Sequence, residues 1–233
     1  MYTSRKRKAA NTLVRKAATL LRTKGKTTLG PYTRSGYSGM GGRRGSYPEL
    51  KVVDTALTTT IIPTTASITL LNGIATGTDY TNRIGRKIMI KSILFRTTLV
   101  PNTSSNTPAG DTTRHMIIYD NQSNGAAPVI ADILQNSGIN DPMNLNNRDR
   151  FRVLFDKYVT MEAAQYAAGT LTAGSPGARQ VKLYKKCNLD QVFNNTGSTV
   201  ASIQTGALYY VVLSGFNNQS TSLWTCRIRF IDN

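Results

Sequence analysis

The strongest chemical signature in this sequence is a set of cations without counter-charges. Between Met1 and Pro48 stand Arg5, Lys6, Arg7, Lys8, Arg15, Lys16, Arg22, Lys24, Lys26, Arg34, Arg43 and Arg44, with no Asp or Glu among them. These twelve side chains supply most of the formal net charge of +17. A charge-blocked, acid-free segment neutralises phosphates and releases their counterions without reading a base sequence. All twelve are therefore candidate nucleic-acid contacts. Arg5-Lys6-Arg7-Lys8 followed by Arg15-Lys16 also has the form of a two-part nuclear localisation signal, which implies the nuclear import machinery as a partner. Binding to an anionic lipid surface is the rival use of such a stretch, but it needs a strong apolar face. The face available here is Ala and Leu, with no Trp or Phe.

Catalytic chemistry has little to draw on. The one histidine, His115, lies in the strand-like TTRHMIIYD, where a structural imidazole is expected. The two cysteines, Cys187 and Cys226, are too few for a disulfide framework. Cys226 falls in an alternating apolar pattern and reads as buried and reduced. No Cys/His spacing suits a metal, so neither metal nor other cofactor is expected. The Gly-rich stretch lacks the strand–turn–helix context of a phosphate cradle. Asp149 and Asp156 sit among Arg148, Arg150, Arg152 and Lys157, a setting for local ion pairs rather than acid–base work. The expectation is a protein that is not an enzyme.

The elements that must position these groups fall into two regions. Residues 1–48 are a basic arm and linker, and residues 49–233 are a body of nearly balanced charge, long enough for one sizeable core. Within the arm, residues 9–24 place Leu13, Ala17, Leu20 and Leu21 near helical spacing, so a short basic helix against an anionic partner is possible. Residues 30–48 hold six glycines and read as a flexible tether. Their Tyr32, Tyr37 and Tyr47 either stack on bases or pack on the body.

The body is rich in Thr, Val, Ile and Tyr. Strands are expected at 51–61, 86–100, 112–120, 150–161, 179–189, 197–204, 206–214 and 222–232, with a short piece at 66–72 extending the first. Residues 130–136 are the one body segment with a helical pattern. Trp224, Cys226, Ile228 and Phe230 alternate with Thr225, Arg227, Arg229 and Ile231. Ile88, Ile90, Ser92 and Leu94 alternate less cleanly with Lys87, Met89, Lys91 and Ile93, as in an element covered on both faces. Together with the long connections, this gives an all-β fold class: an eight-stranded jelly-roll β-sandwich with a basic, flexible N-terminal arm. No apolar run approaches the roughly 18–20 residues of a membrane span, so no membrane insertion is expected.

Several stretches also resemble a known group. NRIGRKIMIKSILFR (82–96), MIIYDNQSNGAAPVIADIL (116–134), NRDRFRVLFDKYVT (147–160) and ALYYVVLSGFNNQSTSLWTCRIRFIDN (207–233) are similar, in order and spacing, to capsid proteins of circular, Rep-encoding single-stranded DNA viruses. This group includes circoviruses and geminiviruses, and the third stretch is most similar to geminivirus coat proteins. The chain has too few Cys and His for a geminivirus-type zinc site and a less Arg-dense arm than circoviruses, so the resemblance is to the wider group. It implies a homo-oligomeric T=1 icosahedral shell of about 60 copies. It also implies arms pointing inward onto a single-stranded DNA genome, and a location in the virion and the host nucleus. The arm's composition itself does not distinguish DNA from RNA, so the capsid protein of a small RNA virus and a cellular nucleic-acid-binding protein with a basic tail are the alternative readings. In such shells the outer face of the sheet that carries the last strand lines the interior. Arg227 and Arg229 are therefore expected to touch nucleic acid, or else to pair with acidic residues at a subunit contact. The long loops 72–85, 101–111, 121–149 and 162–178 would supply the outer surface and the contacts between copies.

Overall fold

The computed structural model describes residues 49–102, 110–162, 166–167, 170–171, 177–216 and 219–232. The predicted arm and its helix, residues 1–48, lie outside the described residues. The strands are β1 (Lys51–Ile61), β2 (Ser67–Leu70), β3 (Lys87–Pro101), β4 (Asp111–Asp120), β5 (Phe151–Met161), β6 (Tyr166–Ala167), β7 (Thr170–Leu171), β8 (Arg179–Phe193), β9 (Ile203–Thr205), β10 (Ala207–Ser214) and β11 (Ser220–Asp232). One sheet runs β1-β11-β3-β8-β9 and the other β2-β10-β4-β5, while β6 and β7 pair only with each other. Every ladder between these strands is antiparallel. Without β9 and the β6–β7 pair, eight strands remain. Their sheet orders, counted along the chain, are first-eighth-third-sixth and second-seventh-fourth-fifth, which is the double Greek key of a jelly roll.

The core between the sheets follows from strand alternation. Ile93, Phe95 and Leu99 of β3 and Trp224, Cys226 and Ile228 of β11 meet Ile117 of β4 and Leu208, Tyr210 and Val212 of β10. Tyr210 is the centre: its ring lies 4.6 Å from Phe95 and 5.1 Å from Trp224 between centroids. His115 belongs to this core and is fully buried. Its Nε2 is 2.9 Å from the Thr113 hydroxyl and its Nδ1 2.7 Å from the Tyr210 hydroxyl. Burial, with a smaller push from Lys157, drives its pKa down to about 4, so it is a neutral structural imidazole near pH 7.

β4 and β10 are buried on both faces. The faces turned away from the sandwich, Met116, Ile118, Tyr209 and Val211, join a second cluster with Ile133 and Leu134 of the 121–149 connection. That connection clads the four-stranded sheet, and two arginines fasten it. Arg114 makes a two-pronged pair with Asp156 (3.0 and 2.7 Å) and donates Nη1 to the carbonyls of Ile139 (3.0 Å) and Asp141 (2.6 Å). Arg150 pairs in the same way with the fully buried Asp120 (3.0 and 2.9 Å).

Several expectations are corrected. Asp156 does not pair with its sequence neighbours but with Arg114 across the ladder, because β4 and β5 set His115 and Met116 opposite Lys157 and Asp156. The strand expected at 197–204 is mostly turn: Asn195 Oδ1 accepts from Gly197 N at 2.9 Å, residues Val200–Ser202 form a 3-10 turn, and only β9 remains extended. The expected helix is a single turn, α1 (Ile130–Ile133); beyond it Leu134 is extended and bridges Met143. β2 does not extend β1, since the chain breaks at Pro63 and β2 pairs with β10 in the other sheet. The uneven alternation of β3 has a local cause. The ladders skip Lys91, so this β-bulge moves the core face from Ile88 and Ile90 to Ile93, Phe95, Thr97 and Leu99. Gly206 links β9 to β10 at φ +85°, and a Cβ there would stand 2.3 Å from the Asp190 carbonyl oxygen.

Candidate nucleic-acid interface

While the four-stranded sheet is clad, the outer face of the five-stranded sheet presents exposed cations. Residues directly opposite in antiparallel strands share a face, so register alone lays out the surface. Asp54, Arg227, Leu94 and Tyr184 form one row across β1, β11, β3 and β8. On one side lies the row Ala56, Thr225, Arg96 and Lys182, and on the other Val52, Arg229, Ser92 and Lys186. Rows two residues apart along the strands are separated by about 6.7 Å, and neighbouring strands by about 4.8 Å. Arg96, Lys182, Lys186, Arg227 and Arg229 are all exposed, and Tyr184 is 52% exposed. Two cationic rows thus flank a central row that is apolar and aromatic on β3 and β8. The curvature of the sheet leaves a concavity of ≈ 430 Å³ here, lined by Asp54, Ala56, Leu94, Arg96, Thr225 and Arg227.

Each of these side chains is placed by strand period. In β8, Val181 and Leu189 turn inward while Lys182, Tyr184 and Lys186 turn outward. In β11, Trp224, Cys226 and Ile228 hold the core and thereby fix Thr225, Arg227 and Arg229 on the opposite side. Arg227 is already engaged within the chain: Nε donates to Asp54 Oδ1 at 2.8 Å and Nη2 to Oδ2 at 2.6 Å. Both side chains remain about half exposed. The hydrogen bond from Arg227 holds the Asp54 carboxyl below its usual range against the opposing effect of partial burial. Arg229 has no ion pair among the described residues. Towards the end of the face, Lys87 pairs with Asp190 at 3.2 Å and Lys91 reaches Asn188 Oδ1 at 3.0 Å.

Of the predicted site residues, Arg227 and Arg229 come together on this face, and the twelve arm cations lie outside the described residues. Arg96, Lys182, Tyr184 and Lys186 were missed. For the three on β8 the signal was present in the period-two run Lys182, Tyr184, Lys186, which reads as a one-faced cationic strand once Val181 and Leu189 are assigned to the core; Arg96 carried no such local signal. Among the described residues, no three His, Cys, Asp or Glu side chains gather as a metal site would require. The arrangement can hold phosphates along two lines and seat a flat, partly apolar group between them.

Comparison with solved structures gives two distant likenesses. One is to dimeric latent PorU from Porphyromonas gingivalis, at 6% identity and TM-score 0.33, covering 81% of this chain and 14% of that one. The other is to the VP2 subviral particle of infectious bursal disease virus, at 11% identity and TM-score 0.27, covering 78% of this chain and 32% of that one. The chain thus spans a third or less of either protein's length. No curated protein matches the sequence. A family model does, over residues 3–233, and it is narrower than the wider group the motifs suggested. The chain is a viral coat-type protein and belongs to the geminivirus coat protein/nuclear export factor BR1 family.

Proposed function

We propose that this protein builds a closed T=1 shell of about 60 copies and packages circular single-stranded DNA through its basic N-terminal arm, with the five-stranded sheet turned inward. The observation that carries the reading is the asymmetry of the sandwich. One sheet is covered by its own 121–149 connection, whereas the other leaves Arg96, Lys182, Lys186, Arg227 and Arg229 exposed, and among the described residues the one acidic side chain in their rows is Asp54. A container for a polyanion needs one such face on every subunit.

The charge balance fits this role. About 60 arms of twelve cations carry about 720 charges, each able to neutralise about one phosphate. The wall cations, less Asp54, add about 240. Arg5, Lys6, Arg7, Lys8, Arg15 and Lys16 serve first as a nuclear address for the host import machinery and later, inside the particle, as counterions.

The test is expression of the full chain and of a variant lacking residues 1–48, followed by negative-stain imaging and nuclease digestion of the contents. The full chain is expected to give particles near 200 Å across, the size that about 60 compact domains enclose, holding material sensitive to DNase and resistant to RNase. The truncated chain is expected to stay folded and to retain little nucleic acid. A truncated protein that captures as much DNA as the full chain overturns the arm's role. A full chain that binds DNA yet never closes into particles overturns the shell and points to the export-factor side of the family.

A further inference from the structure

We infer that the central row of the cationic face seats unpaired bases and makes the wall selective for single-stranded over duplex nucleic acid. The inference rests on reading this face as the genome side. Phosphate binding alone would be served by cations anywhere on the sheet. Here the cations fall in two rows, Arg96 with Lys182 and Arg229 with Lys186, and the row between them differs in kind. It offers the half-buried Leu94 and the exposed ring of Tyr184, and its only cation, Arg227, is held by Asp54.

Two strand spacings separate Arg227 from Tyr184, about 10 Å at the backbone. This leaves Leu94 as the apolar floor on which a base lies when its ring stacks against Tyr184. The concavity beside it is walled by Arg96 and Arg227, and the small Ala56, Thr55 and Thr225 are among its other lining residues. Its ≈ 430 Å³ falls in the size range of small-molecule pockets and so admits a nucleotide. A base in a single strand has a free π-face, whereas in a duplex those faces are stacked on one another and only phosphates and groove edges reach a flat wall. The cationic rows therefore serve both forms, and the central row serves only the unpaired one.

The experiment uses full-length protein throughout, so that the arm contributes equally to every comparison. Affinities for a 20-nucleotide oligothymidine and for a duplex of equal length are measured by fluorescence anisotropy over a salt series. The variants are Tyr184→Ala, Tyr184→Phe and the double variant Lys182→Ala/Lys186→Ala. Tyr184→Ala is expected to weaken single-strand binding by about 5- to 150-fold, the range for losing one stacked base, and to leave duplex binding and the salt slope unchanged. Tyr184→Phe keeps the ring and is expected to keep the preference. The Lys double variant is expected to weaken both forms and to flatten the single-strand salt slope by about 1.4. Photo-cross-linking with 5-iododeoxyuridine oligonucleotides is expected to mark the peptide that contains Tyr184. An unchanged single-strand to duplex ratio in Tyr184→Ala, or cross-links confined to the arm, overturns the inference while leaving the packaging reading standing. A wild-type chain that binds neither form overturns both.

Discussion

Asp54 is the carboxylate set among the five wall cations, and it holds Arg227 through two hydrogen bonds. A phosphate that approaches Arg227 must therefore displace a carboxylate already in place. Replacing Asp54 with Asn removes the competing charge, keeps an oxygen for Arg227 to donate to, and changes no buried contact. The pair is about half exposed on both sides, so its loss perturbs the fold little. The gain appears in the salt dependence. One more phosphate neutralised on a single strand steepens the slope of log affinity against log salt by about 0.7, which at 0.1 M salt corresponds to about fivefold tighter binding. The assay is anisotropy with a labelled oligothymidine between 0.1 and 0.6 M NaCl, using the full chain and its Asp54→Asn, Arg227→Ala and doubly substituted forms. Arg227→Ala leaves Asp54 without its partner and is expected to bind more weakly than wild type. The double variant restores the face's net charge and is expected to bind close to wild type. If Asp54→Asn shows the wild-type slope, Arg227 does not meet phosphate and the inward orientation of this face loses its electrostatic support.

Two further outcomes follow from buried groups. His115 titrates near 4 in the folded protein against an ordinary value of 6.5, so below pH 6.5 the unfolded chain binds the extra proton. Stability is thus full above pH 6.5 and falls as the pH drops towards 4, by about 3 kcal/mol in total; urea midpoints measured between pH 7 and 4 should show this slope in the wild type and its loss in His115→Gln, whatever constant cost the substitution adds. Arg114→Ala strands Asp156 and the carbonyls of Ile139 and Asp141. Because Asp156 keeps some contact with water, the expected cost is about 2–3 kcal/mol, below the usual range for a broken buried pair, and limited proteolysis of the body should gain a cut within residues 134–143 that the wild type resists.

How much of this was legible in the sequence depended on whether a feature was local. The alternation of β11 was readable because Trp224, Cys226 and Ile228 point into one core and Phe230 is buried in phase with them in the second cluster. The double burial of β10 was visible as an unbroken apolar run from Ala207 to Leu213. The phase break in β3 was not readable, because a bulge at Lys91 changes no residue type and is defined only by its two partner strands. The partners of Arg114 and Arg227 were hidden for the same reason: Asp156 and Asp54 lie 42 and 173 residues away, and only strand register joins them. The cationic wall was half-legible. Arg227 and Arg229 stood out in the last strand, whereas Arg96, Lys182 and Lys186 looked like ordinary solvated charges until three strands set them side by side.

That juxtaposition has a consequence for assembly. On the face, Arg96 and Lys182 are one strand apart, and Arg229 and Lys186 two, so backbone separations are about 5 and 10 Å, at or inside the Debye length of about 10 Å at 0.1 M salt. If the shell closes as proposed, with this face and the twelve arm cations of every copy on one interior, closure concentrates the repulsion. Assembly of the nucleic-acid-free chain should therefore be suppressed near 0.05 M salt and recover towards 1 M, where the Debye length falls to about 3 Å. A flexible polyanion such as polyphosphate should replace salt at low ionic strength, because it removes the repulsion without supplying bases. Light scattering of stripped protein across a salt series, with and without polyphosphate, reads this directly. Empty shells forming equally well at 0.05 M salt would mean that contacts between copies outweigh the interior charge, and that genome binding does not control when the shell closes.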